Sequence, residues 1–130
     1  MSGGQYAGFR LALAGLALFF FGLGLGFAVT AYPEAKPLLA AHEAALGSGT
    51  FLISVGAIWS LYLTSASRLL VPAVWLSQYA LTITIAMDGF AGMHKIAGPL
   101  IGLSCIAVTL TTLLLIAMFW RALRSMPQAA

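Results

Sequence analysis

The stretch that decides the fold is AHEAALGSGTFLISVGAIWSL, from Ala41 to Leu61. It carries no charge after Glu43, yet it opens with His42 and Glu43 where a membrane helix would enter lipid. Ionisable groups at that depth are costly, so they are functional candidates. On a helix, Gly49 and Gly56 lie close to the face of His42 and leave room for a flat group against the backbone. Such stripes of small residues also serve packing between membrane helices, and both readings stay open.

The composition indicates a membrane protein. Of the 130 residues, 62% are hydrophobic and only 7% are charged, whereas soluble domains carry about 25% charged residues. The net charge of +3 comes from scattered basic residues, which does not predict a nucleic-acid surface. Cys105 is the single cysteine and cannot form an internal disulfide. We expect it to be a buried apolar thiol.

Charged residues divide the chain into four apolar windows of about 20 residues, the length that crosses a bilayer as a helix. The windows lack the alternating pattern of barrel strands. The expected fold is therefore an all-α, integral membrane four-helix bundle, a single domain over residues 1–130. The expected spans are about 11–33, 42–64, 69–88 and 96–120. We expect a tight turn around Ser65–Arg68, and we expect Pro99 in the first turn of the fourth span.

Two further helix faces are distinctive. Gly15, Gly22 and Gly26 share one face of the first span and are expected to pack on another helix. Ser77, Thr84 and Asp88 fall on one face of the third span, which is expected to face the bundle interior or a water-filled cavity. The alternative for the two hydroxyls is a hydrogen bond to a carbonyl of their own helix. The alternative for Asp88 is an interfacial helix end.

The basic residues predict the orientation. With four spans, both termini and the connection between the second and third spans lie on one side of the membrane. That side carries Arg10, Arg68, Arg121 and Arg124. The opposite side holds two lysines and all three acidic residues. Lysine and arginine are enriched in the cytoplasmic loops of membrane proteins. We therefore expect the chain to lie in a bacterial inner membrane with its termini in the cytoplasm. The candidate groups His42, Glu43, Asp88 and His94 all lie toward the opposite end.

Ala41-His42, followed by Gly49 and an aliphatic run, resembles the second helix of the small four-helix membrane isomerases, styrene oxide isomerase and the hydroxylaminobenzene mutases. Gly26-Phe27-Ala28-Val29, leading to a loop with proline, looks most like the short mutases. The resemblance covers roughly residues 22–75. It implies that His42 is the axial ligand of haem b, bound between the subunits of a homotrimer. The chain departs from the family in carrying Ser48-Gly49 where asparagine-glycine is usual.

The resemblance implies an isomerase in which iron acts as a Lewis acid on a small aromatic substrate. The leading expectation is rearrangement of an arylhydroxylamine to an aminophenol, and the alternative is isomerisation of an aryl epoxide to an aldehyde. In this reading Gly49 lies against the haem, and Ser48, Thr84 and Asp88 orient the substrate. A non-enzymatic haem protein with both His42 and His94 as ligands is the rival from another class. A structural subunit without a cofactor is the third.

Overall fold

The computed structural model describes residues 2–63, 67–89 and 93–125, and these residues form helices without any strand. The four helices are α1 (Gly3–Ala31), α2 (Lys36–Tyr62), α3 (Leu70–Asp88) and α4 (His94–Ser125). Each is long and apolar enough to cross a membrane. The expected all-helical fold with four long apolar helices is therefore confirmed. The turn expected around Ser65–Arg68 falls largely outside the described residues, as do positions 90–92 of the loop after α3.

The outer helices are longer than the apolar windows. Helix α1 begins at Gly3 because Ser2 caps it, its side chain accepting from the Gln5 N–H while the Gln5 side chain accepts from the Ser2 N–H. This reciprocal arrangement satisfies two donors at the helix start. Helix α4 begins at His94, so the expectation for Pro99 was wrong. Pro99 is the sixth residue of the helix and lies inside it, where proline removes one hydrogen bond of the helix backbone.

Glycines control the packing of α1 on α2. Along α1 they recur at Gly8, Gly15 and Gly22, and along α2 at Gly49 and Gly56, always seven residues apart. A Cβ at Gly15 would lie 2.6 Å from the Gly49 carbonyl oxygen, and a Cβ at Gly56 would lie 2.5 Å from that of Gly8. The two backbones are therefore in direct contact, as glycine permits in membrane helix pairs. Paired in this antiparallel order, the next residue opposite Gly22 on α2 is His42.

Helix α3 packs on α2 and also contacts α1 and α4. The Tyr79 hydroxyl donates to the Ala14 carbonyl of α1 over 2.8 Å, and the Ser77 and Thr111 hydroxyls are 3.1 Å apart between α3 and α4. Trp59 of α2 is fully buried and meets Phe119 of α4 edge-to-face. The hydrophobic core lies mainly between α1 and α2 and extends to Val71 and Val74 of α3, and α4 is attached mainly through α3.

The outer surface is apolar over most of its area. Large aliphatic and aromatic side chains such as Phe20, Phe27, Leu103 and Leu113 are exposed. Exposed patches of this extent are typical of surfaces that face lipid or a partner. Cys105 belongs to this surface, since it is exposed on α4. The expectation of a buried thiol was therefore wrong: the buried side of α4 is instead the one that carries Ala97, Ser104 and Thr111.

Candidate functional site

The His42 ring is held by a carbonyl of the neighbouring helix. Its Nδ1 atom lies 2.7 Å from the Gly22 carbonyl oxygen of α1. A carbonyl oxygen can only accept a hydrogen bond, so Nδ1 carries the hydrogen and donates it. In the neutral imidazole the lone pair then lies on Nε2. This arrangement, one nitrogen fixed by a backbone carbonyl and the other free to coordinate, is typical of metal-ligating histidines.

Glycine at position 26 makes room for this ring. A Cβ at Gly26 would lie 2.9 Å from the Cε1 atom of His42 and 3.2 Å from its Nδ1. Almost any other residue there would push the imidazole away from the Gly22 carbonyl. His42 is half-buried and is the seventh residue of α2, about 9 Å along the helix at 1.5 Å per residue. The sequence predicted that the second span begins at His42, whereas α2 begins at Lys36. His42 therefore lies further inside the helix than expected.

The face of Gly49 is occupied by α1. A Cβ at Gly49 would lie 2.8 Å from the Phe19 backbone nitrogen and 2.9 Å from the Gly15 carbonyl oxygen. Within one chain, no space remains there for a macrocycle. The expectation that Gly49 lies against a haem is thus not met in this structure, because helix packing takes the stripe of small residues below His42. A macrocycle bound to Nε2 therefore cannot lie along the Gly49 stripe within one chain.

The three residues expected to orient a substrate are not grouped around His42. Ser48 is buried on α2, six residues after His42. Thr84 is buried on α3 and its hydroxyl donates to the Leu81 carbonyl of its own helix over 3.0 Å. The stripe of Ser77 and Thr84 does face inward, as expected. Ser77 contacts Thr111 of α4, however, whereas His42 contacts α1.

Asp88 pairs with the second histidine. The Asp88 Oδ1 atom lies 2.9 Å from Nδ1 of His94, at the junction of α3 and α4. The carboxylate accepts a hydrogen bond from Nδ1, which again leaves Nε2 of His94 free. Its side chain is 66% exposed, so His94 is not enclosed by this chain. His42 and His94 therefore have their partners on different helix pairs, and the structure does not show them converging on one site.

The donor chemistry fits one axial position of a haem. A single haem ligand requires one neutral imidazole nitrogen, and His42 offers Nε2 in a fixed ring orientation. A site made of several protein ligands is a poorer fit, because the described residues contain no group of three or more histidine, cysteine, aspartate or glutamate side chains. A haem supplies its other four iron ligands itself, so one histidine is sufficient.

Neither a protein-family model, nor a curated protein, nor a solved structure matches the chain significantly. The site therefore has to be interpreted from its own geometry. Two of its features were not anticipated from the sequence, the Gly22 carbonyl as the partner of His42 and Gly26 as the position that accommodates the ring. The sequence did carry a signal for the Gly22 partner. Gly8, Gly15 and Gly22 have the same seven-residue spacing as His42, Gly49 and Gly56, so two antiparallel helices paired through these glycines place Gly22 opposite His42.

Proposed function

We propose that this chain is an integral membrane isomerase that binds haem b through Nε2 of His42. Its best substrate is a small arylhydroxylamine, which it rearranges to an aminophenol. The observation that carries the proposal is the hydrogen bond from Nδ1 of His42 to the Gly22 carbonyl, because it selects the tautomer and ring orientation of an iron ligand. The likeness of Ala41-His42 and Gly49 to the small membrane isomerases supports the choice of haem and of reaction.

The membrane assignment rests on the helices themselves. All four are long and apolar enough to cross a bilayer, and exposed apolar side chains cover the outer surface. We propose a bacterial inner membrane with cytoplasmic termini, since Arg10, Arg68, Arg121 and Arg124 share the end of the bundle that holds the termini. A site in lipid favours apolar aromatic substrates, which concentrate there.

Bound haem would supply a Lewis-acidic iron for a substrate oxygen. The chain's own contribution is to fix the ligand. The Gly22 carbonyl holds Nδ1 of His42, and the absence of a side chain at Gly26 lets the ring lie flat against α1. Ser48 is the nearest in sequence of the three residues assigned to orient the substrate. Thr84 and Asp88 already have hydrogen-bond partners on α3 and α4, but each keeps acceptor lone pairs that could bind a donor group of the substrate.

We further propose a homotrimer, because the interface of α1 and α2 leaves no room for a haem beside His42. The inner face of the α1–α2 pair is filled by glycine-mediated backbone contacts, so a macrocycle on His42 must lie outside this pair. A haem there is enclosed only if a second copy of the chain covers it. The homotrimer of the similar isomerases provides such a cover, and we adopt it as part of the proposal.

The experiment is turnover by the haem-loaded protein in detergent. Phenylhydroxylamine is supplied without oxygen, and 2-aminophenol is measured by chromatography for the parent protein and for His42→Ala. We expect product from the parent and a loss of at least 100-fold in the variant, in line with removal of an essential group. Product at an unchanged rate in His42→Ala refutes the role of this histidine. Styrene oxide in place of phenylhydroxylamine, with phenylacetaldehyde as product, tests the epoxide alternative.

A non-enzymatic haem protein is the second candidate, and one observation favours it. Nε2 of His94 is also left free, because Asp88 binds Nδ1, so His94 of one copy and His42 of another offer two equivalent ligands. Iron with both axial positions filled has no open face for a substrate. A six-coordinate low-spin spectrum, together with no turnover of either substrate, would replace the isomerase with this function.

A further inference from the structure

An open apolar groove runs between the last turns of α2 and α4. Its volume is about 600 Å³, within the range of ligand pockets in proteins. It exists because α4 is attached through α3 and meets α2 mainly where Trp59 contacts Phe119. The side chains that line it are aliphatic and aromatic, among them Ile58, Tyr62, Ile116, Phe119, Trp120 and Leu123.

A cation is held at the rim of this groove. The guanidinium carbon of Arg124 lies 4.9 Å from the centre of the Trp120 ring, and Trp120 is one of the lining residues. This cation–π contact keeps the guanidinium beside the ring, and guanidinium N–H groups bind anions such as phosphate. Arg121 lies one turn before Arg124 on the same helix and is exposed. Both arginines follow directly on the apolar part of α4.

The charge of this end of the bundle is uniformly positive. It carries all four arginines of the chain, Arg10, Arg68, Arg121 and Arg124. The three acidic residues, Glu34, Glu43 and Asp88, belong to the opposite end. An anion bound at Arg124 is thus not repelled by an acidic side chain at the same end of the bundle. Basic residues at a membrane surface attract anionic lipids.

We infer that this groove is a binding site for an anionic phospholipid. One acyl chain lies between α2 and α4 against Ile116 and Phe119, and the phosphate binds the guanidinium of Arg124. The apolar lining selects a hydrocarbon chain, and the arginine selects a negatively charged headgroup over a neutral one. Tyr62 and Trp120 lie near the ends of α2 and α4. Aromatic rings at the ends of membrane helices favour the boundary between the headgroups and the hydrocarbon. This site is independent of His42, which lies toward the other end of α2.

The test is native mass spectrometry of the full-length protein released from bilayer discs of equal parts phosphatidylglycerol and phosphatidylcholine. We expect the parent protein to retain one phosphatidylglycerol with a preference of about fivefold, the effect typical of one basic residue near a membrane surface. Arg124→Gln should reduce that preference to less than twofold. Lys36→Gln is the matched control, since it removes one charge from an exposed residue at the opposite end, and it should keep the full preference.

A second variant tests the groove itself. Ala122 also lines it, and Ala122→Phe fills part of its volume, so the retained phospholipid should be lost. Circular dichroism and elution volume establish that each variant is folded. Equal retention of the two lipids by the parent protein overturns the inference. An undiminished preference in Arg124→Gln, an equal fall in Lys36→Gln, or full retention by a folded Ala122→Phe overturns it as well.

Discussion

Substitution of Gly15 by alanine tests the glycine contact that places His42 beside α1. A Cβ at this position would lie 2.6 Å from the Gly49 carbonyl oxygen and 2.7 Å from the Ile53 backbone nitrogen, whereas ordinary contact begins at 3.4 Å. Because both atoms belong to the backbone of α2, neither can move alone, and the two helices must separate by about 0.8 Å. Overpacking of this kind typically costs about 1–3 kcal/mol.

Gly24→Ala is the matched control, since nothing lies within 4 Å of a Cβ at Gly24 on the same helix. Both variants gain the same helix propensity, up to about 1 kcal/mol relative to glycine. Their difference in the free energy of unfolding therefore isolates the overpacking cost, about 1–3 kcal/mol. The measurement is reversible unfolding in mixed micelles with increasing SDS, followed by circular dichroism. If Gly15→Ala unfolds within about 0.5 kcal/mol of Gly24→Ala, the direct backbone contact of α1 with α2 is refuted.

Three other predictions concern the ligand, the assembly and the bundle. Gly26→Ala should lower haem affinity about 10–100-fold, because its Cβ displaces the His42 ring and breaks the bond to Gly22; unchanged affinity in a haem titration contradicts this. The purified complex should have the mass of a trimer in detergent, and a monomer carrying a full complement of haem contradicts it. Ser77→Ala should cost about 0.6 kcal/mol of unfolding free energy by removing the bond to Thr111, without affecting haem; a loss of haem contradicts this.

The helices could be predicted from the sequence because their signal is strong and local. In lipid such windows form either helices or the strands of a closed barrel, and without the alternating pattern of barrel strands the four windows give four helices. The ends of the helices were harder to predict from the sequence. Helix α1 starts at Gly3 because the side chains of Ser2 and Gln5 satisfy its first donors, and a hydropathy window does not register capping. The charge of Lys95 limited the fourth window to residues from Ile96 onward and so placed Pro99 in the first turn, whereas α4 begins at His94.

The site was harder to predict because it depends on which helix faces which. Helical spacing places His42, Gly49 and Gly56 on one face of α2, and this is confirmed, since that face meets α1. Spacing alone does not reveal whether a glycine stripe receives a ligand or a neighbouring helix, and in this chain it receives a helix. The sequence also placed Asp88 and His42 at the same end of the bundle, but this did not show whether they belong to one site. Two residues at the same level of a bundle can face different helices.

The absorption spectrum of the detergent-purified protein tests the role of His42 most directly. The parent protein, His42→Ala and His94→Ala are measured together after incubation with haem. We expect a Soret band of five-coordinate haem in the parent and in His94→Ala, and none in His42→Ala, with the helical circular dichroism unchanged in all three. A parent protein that stays colourless, or a Soret band of full intensity in His42→Ala, would contradict the assignment of His42 as the haem ligand.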